Sequence, residues 1–250
     1  MSGHSKWSTI KRKKGKADAE RGRVFTRFIR EITVAARNGG SDPESNPRLR
    51  TAIDGARTAN MPAVNIDKAV KRGTGELPGI SYEEQTYEGY GPAGTAILIE
   101  TLTDNKNRTT SEIRHILDRN GGHMGELGCV SWMFQQKGSI TVDKGKAKED
   151  DLMTVALDAG AEDVTDEKEF FEVLTAPPDL EKVKKALTDA GVPISNAQLV
   201  RYPQTFVPLD SKAAEQTIRL MSIIEDHDDV QRVYSNFDIP DDIMEQLTKD

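Results

Sequence analysis

The sequence predicts an α+β protein of three domains: a helical N-terminal domain and two α/β domains, one of them ferredoxin-like and inserted in the other. Three observations lead there. Apolar residues recur with helical period from residue 21 to about 75, then give way from residue 81 to strand-like runs. Residues 137–204 carry the element order β-α-β-β-α-β, the ferredoxin-like arrangement. Residues 205–240 hold a helix and two strands, too little for a separate core, so they are expected to rejoin the sheet begun near residue 82. The resulting boundaries are 1–78, 79–136 with 205–240, and 137–204, within the reach of a 250-residue chain.

Residues 1–20 read as a basic arm, poor in apolar residues. A helix is predicted over 21–37, where Phe25, Phe28, Ile29, Ile32 and Ala36 share one face and Asn38-Gly39-Gly40 ends it. Asn46-Pro47 reads as an N-cap and first-turn proline opening a helix to about Thr58, with Leu49, Ala52, Ile53 and Ala56 as its apolar stripe. Asn65 is expected to cap a third helix, packed by Ile66, Ala69 and Val70 and ended by Gly73-Thr74-Gly75.

Strands are predicted at 86–90 and 95–102, the second buried on both faces. The intervening Gly89-Tyr90-Gly91-Pro92-Ala93-Gly94 matches G-x-G-x-x-G formally but opens a strand rather than a helix, so its glycines serve a tight turn. A polar loop from Thr103 to Thr109 leads into a helix to Asn120 with Ile113, Ile116 and Leu117 inside. A strand over 129–135, with Cys129 as a small core residue, is expected to complete a β-α-β unit. Further strands are placed at 139–142, 161–164, 170–174 and 197–202, with helices at 149–158 and 180–190. A strand at 205–209, a helix over 211–226 and a strand over 230–237 follow. The acidic run Glu225-Asp226-His227-Asp228-Asp229 is expected to be solvated.

Charge divides the chain. Residues 1–75 hold 17 Lys+Arg against 7 Asp+Glu, and the remainder holds 17 against 34. A basic end on an acidic body suggests a polyanion met at one end only. Lys11, Arg12, Lys13, Lys14 and Lys16 crowd into six residues, and such a run repels itself unless something anionic neutralises it. On the predicted first helix, Arg23, Arg27, Arg30 and Arg37 lie opposite the apolar face, and guanidinium is suited to phosphate. Lys71 and Arg72 make the domain's last turn basic as well. In the arm, His4 and Lys6 stand near Trp7, which has little around it to bury it, so stacking on a base or ribose, beside a lysine reaching phosphate, stands next to a core role.

The composition is that of a soluble globular protein, with 36% hydrophobic and 30% charged residues. No run is long and apolar enough to span a membrane, and a cytoplasmic monomer without membrane contact is expected. One cysteine excludes an internal disulfide. Four scattered histidines offer no zinc spacing, and Walker A, G-x-S-x-G and H-E-x-x-H are absent. Neither catalysis nor a cofactor or metal is expected, with a small-molecule enzyme the distant alternative.

Gly3-His4-Ser5-Lys6-Trp7, Arg21-Gly22-Arg23-Val24-Phe25, Asn60-Met61-Pro62, Lys71-Arg72-Gly73-Thr74-Gly75, Glu88-Gly89-Tyr90-Gly91-Pro92 and Thr103-Asp104-Asn105-Lys106-Asn107-Arg108-Thr109 stand in this order. Together they resemble the YebC/PmpR family, which includes the mitochondrial translational activator of cytochrome c oxidase. The resemblance implies three domains and a non-enzymatic role in gene expression: transcriptional regulation through DNA or, alternatively, action on translation at the ribosome, including relief of stalling at proline runs. Nucleic acid, DNA or ribosomal RNA, is thus the expected partner. The residues expected to bind it are His4, Lys6, Trp7, Lys11, Arg12, Lys13, Lys14, Lys16, Arg23, Arg27, Arg30, Lys71 and Arg72.

Overall fold

A computed structural model describes residues 17–167, 170–240 and 242–244, with side chains from residue 22 onward. The arm residues named above, from His4 to Lys16, lie outside the described residues. The chain divides into two compact units: the described residues of 14–129 with 215–233, and those of 130–214 with 234–250. The fold is α+β, with a helical N-terminal domain and two α/β domains, one of them ferredoxin-like.

The first unit opens with three helices, α1 (Ala17–Gly39), α2 (Pro47–Thr58) and α3 (Ala63–Gly73). Gly40 ends α1 at φ +87°, a conformation a Cβ would strain. Asn46 caps α2 as expected, its Oδ1 accepting from the Leu49 amide at 3.1 Å, while its Nδ2 donates to the carbonyls of Ala35 and Gly40. Asn65, by contrast, is no cap: α3 already begins at Ala63 behind Pro62, and the Asn65 amide bonds to the Pro62 carbonyl. Ile32, Leu49, Ile53, Met61 and Ile66 fill the core between the helices, with Phe25, Phe28 and Ile29 packed against it. Alanines at 35, 36, 52, 56 and 69 line the contacts, and their small side chains let the helices approach closely.

The same unit contains β1 (Glu83–Tyr90), β2 (Ala96–Thr103), α4 (Lys106–Arg119) and the two-residue β3 (His123–Met124). The sheet order is β3-β1-β2-β9, where β9 is Val230–Ser235. β2 is buried at every position except Glu100. Its antiparallel register on β1 sets Tyr87 against Ile99 and Tyr90 against Ala96. Ile113 and Leu117 of α4 are fully buried, as are Leu220 and Ile224 of α7 (Ser211–Glu225).

The other unit holds β4 (Phe134–Asp143), α5 (Glu149–Asp158), β5 (Asp163–Asp166), β6 (Phe170–Thr175), α6 (Leu180–Asp189) and β7 (Ile194–Pro203). Its sheet order is β5-β6-β4-β7, antiparallel throughout. Ile140, Val142, Phe171 and Val173 from the sheet pack with Leu152, Ala156, Val183 and Leu187 from the two helices. Full burial of such side chains contributes about 1.5–3 kcal/mol each.

Two expectations change here. Residues 129–135 are not a strand closing a β-α-β unit: Ser131–Met133 form a 3-10 turn, and one long strand, β4, runs from Phe134 to Asp143. The apolar run misled because Val130 is buried ahead of the turn and Phe134 only opens β4, while Cys129 is only half-buried. The second change concerns the strand at 205–209. It does not rejoin the first sheet; β8 (Val207–Pro208) pairs in parallel with β10 (Phe237–Asp238).

Close packing at Gly138 of β4 makes a stability prediction. A Cβ there would fall against Thr175 Oγ1 and 2.9 Å from Leu180 Cβ. Gly138→Ala should therefore lower the unfolding free energy by roughly 1–3 kcal/mol, read from the midpoint in urea. An unchanged midpoint would mean that β4 and α6 can separate at no cost.

Candidate functional site

The polar loop 103–109 and the acidic run 225–229 come together in the first unit around one carboxylate, Asp229, whose side chain is 1% exposed. Arg30 Nη1, from α1, donates to its Oδ1 at 2.7 Å. Its Oδ2 accepts from Arg108 Nη2 at 2.7 Å, Thr109 Oγ1 at 2.6 Å and Thr103 Oγ1 at 3.1 Å. Leu102 of β2 fixes the backbone by donating its amide to the Asp229 carbonyl at 2.9 Å. Burial alone would raise the Asp229 pKa, but hydrogen bonds from Thr109, Arg108 and Arg30, with the Arg30 charge, outweigh it and hold the carboxyl at about 2.

Local chemistry explains how 103–109 reaches this point. Asn105 caps α4, its Oδ1 accepting from the Arg108 amide, while its own amide donates to Thr103 Oγ1 at 2.9 Å. The first turn of the helix then presents Arg108 and Thr109 together, and Asp104 pairs with Arg108 at 2.9 Å. The cap made by Asn105 and the ion pair made by Asp104 thus also serve to aim side chains at Asp229.

The acidic run is therefore not simply solvated. Beside Asp229, His227 Nδ1 accepts from the Asp229 amide at 3.1 Å, so the ring proton sits on Nε2, 2.9 Å from Glu112 Oε2. Glu112, His227 and Asp229 approach closely enough to suggest a metal centre. The hydrogen bonding argues against one, since both oxygens of Asp229 are taken by arginines and threonines and His227 Nδ1 is taken by backbone. An open cleft of about 430 Å³ beside them is lined by the carboxylates of Glu112, Asp226, Asp228 and Asp229 together with Arg108, His115, Ile116 and His227.

The described binding candidates fall into two groups. The arginines of α1, which the sequence offers to phosphate, are engaged within the first unit. Arg23 pairs with Asp226 at 2.7 Å. Arg27 donates to the Glu225 carbonyl, and burial pushes its pKa down. Arg30, besides Asp229, donates to the carbonyls of Leu102 and Asp228 and lies 5.3 Å from the Tyr82 ring centroid. Periodicity placed these arginines opposite the helical core correctly, but it could not reveal that 225–229 covers them. In the other group, Lys71, partly exposed, pairs with the exposed Asp67 at 2.9 Å, whereas Arg72 is exposed with no ion pair among the described residues.

Residues 5–76 match the TACO1/YebC protein N-terminal domain, and residues 82–237 match the TACO1/YebC second and third domain. The chain belongs to the TACO1/YebC family. A relative from Desulfosudis oleivorans, named "Probable transcriptional regulatory protein", is 57% identical over 98% of this chain and 100% of its own length. One from Desulfotalea psychrophila with the same designation is 56% identical over the whole of both chains. Among solved structures, the conserved hypothetical protein Aq1575 from Aquifex aeolicus superposes with a TM-score of 0.84 at 48% identity, covering 89% of this chain and 92% of that one. Most of the Asp229 cluster comes from the motif 103–109, which helped mark the TACO1/YebC resemblance, and Asp229 itself lay unread in the acidic run.

Proposed function

We propose that this protein is a non-catalytic regulator of gene expression that binds nucleic acid through its basic N-terminal domain, gripping the phosphate backbone rather than reading base sequence. One observation carries the reading: 17 Lys+Arg against 7 Asp+Glu in residues 1–75, on a remainder of 17 against 34. An acidic body repels phosphate and a basic end attracts it. The names of the relatives support a regulatory role in transcription, for which duplex DNA is the target. The cytoplasm is the compartment that goes with it.

A second reading, a translation factor on structured or ribosomal RNA, is favoured by the state of α1. Recognition helices place free side chains in the major groove, whereas Arg27 and Arg30 are bound to 225–229. The deciding experiment crosslinks the protein in cells and sequences the nucleic acid recovered. Promoter fragments support the first reading and ribosomal RNA the second. Recovery of neither would overturn the binding role itself. In vitro, backbone recognition predicts less than about a thousandfold preference for any one duplex over scrambled DNA at physiological salt, and a larger preference would make base readout the better account.

A further inference from the structure

The first unit carries a second groove, about 400 Å³ in volume, between α1, the end of α3 and the segment that follows it. Its chemistry is the reverse of the carboxylate-lined cleft. Ile29, Pro78, Ile80 and Tyr82 give it apolar and aromatic walls, Thr33 a hydroxyl and Arg72 a cation, and none of the described residues lining it is a carboxylate. Ile80 is 56% exposed, so its side chain is open to a ligand at the groove.

The walls are fixed in advance. Arg37 Nη1 donates to Ser81 Oγ at 2.8 Å and its Nη2 to the Tyr82 carbonyl at 2.5 Å, while Arg30 sits against the Tyr82 ring. Gly79 matters for the cation: a Cβ there would lie 3.2 Å from Arg72 Cβ and Cγ, so the bare backbone lets the Arg72 stem lie across the segment. The guanidinium at its end has no ion pair among the described residues, and neither has the exposed Lys68 one turn earlier.

From this juxtaposition we propose that the groove between α1, α3 and residues 78–82 receives an unpaired base of a structured RNA, with Arg72 reaching the adjoining phosphate. A groove with apolar walls and an aromatic side chain suits the face of a base, and a cation at its edge suits the backbone charge that accompanies it. RNA is the source because its loops and bulges present bases already unstacked, whereas a duplex must first give up stacking and pairing. The inference rests on the nucleic-acid reading above and deepens it, since it adds a base-sized contact to backbone attraction.

The test uses the full chain and two RNA hairpins, one fully paired and one with a single bulged 2-aminopurine, in competition at physiological salt. The wild-type protein should prefer the bulged hairpin by roughly tenfold, the lower part of the range for one base stacked on an aromatic group, and the 2-aminopurine emission should change on binding. Tyr82→Ala should abolish the preference. Because Tyr82 also meets Arg30, the exposed-site changes Ile80→Ala and Arg72→Gln provide the independent check: each should reduce the preference, with the thermal midpoint unchanged. Equal binding of both hairpins by the wild type would overturn the groove assignment and leave backbone binding standing. Binding of neither would overturn the groove assignment and the RNA reading together, leaving only the duplex-DNA reading. Equal capture of a bulged DNA hairpin would overturn the assignment to RNA. A groove that instead holds a protein segment would leave the three variants identical to wild type on both hairpins, which also overturns the proposal.

Discussion

Replacing Asp229 by Ala should destabilise the protein by about 3–5 kcal/mol, the usual cost of removing one partner from a buried ion pair. The carboxylate is 1% exposed and Arg30 13% exposed, so the change leaves a cation with little access to water and only the carbonyls of Leu102 and Asp228 as acceptors. It also leaves two buried hydroxyls, Thr103 and Thr109, without their carboxylate acceptor. Arg108→Ala should cost far less, within about 1 kcal/mol, because Arg108 is 42% exposed and solvent replaces its bonds. Urea unfolding of the three proteins measures the contrast, and similar losses for Asp229→Ala and Arg108→Ala would mean that the carboxylate is not the centre of the cluster.

The same residue sets an acid limb. Its folded pKa of about 2 lies below the ordinary 3.8. The stabilisation is therefore complete above about pH 4 and is lost as the pH falls from there towards 2. The shift corresponds to roughly 2 kcal/mol. Asp229→Asn keeps the side-chain shape without the titration, so its stability should fall less between pH 5 and 2 than that of the wild type. Parallel pH profiles would assign the acid limb to other carboxylates.

What sequence reveals here is periodic or local. The apolar stripe of α1 and the Asn46 cap follow from spacing along one helix, and the β-α-β-β-α-β order of 137–204 follows from alternating periods. Asp229 is different in kind. It lies 121 residues from Arg108 and 199 from Arg30, and in sequence it is one carboxylate among five polar residues. Nothing local distinguishes the aspartate that turns inward from Asp226 and Asp228, which stay exposed. The clue was complementarity: an arginine row on α1 and an acidic run of similar extent elsewhere in an otherwise divided chain. Reading each as independently solvated missed that they could neutralise one another. The groove beside Tyr82 was hidden for a related reason, since Ile29, Arg72 and Ile80 are adjacent only after α1 and α3 have packed.

The occupation of the α1 arginines also decides where phosphate binding should be sought. Neutralising the arm in the full chain, with Lys11, Arg12, Lys13, Lys14 and Lys16 all changed to Gln, should lower affinity for duplex DNA roughly a thousandfold at physiological salt. The estimate takes one phosphate per cation, each adding about 0.9 to the slope of log affinity against log salt. If about six phosphates are neutralised in the wild type, its slope is near −5, and the substituted protein should approach −1. Arg27→Ala should behave in the opposite way. Its guanidinium is engaged with the Glu225 carbonyl, so its loss should lower stability by about 1 kcal/mol while leaving the salt slope unchanged. Fluorescence anisotropy across a salt series, with a thermal melt of each variant, separates the two effects. A slope that stays near −5 without the arm cations would refute the arm as the phosphate-binding element. A slope made shallower by about one in Arg27→Ala would show that 225–229 releases α1 when nucleic acid binds, because only a freed guanidinium can replace a counterion on the phosphate backbone.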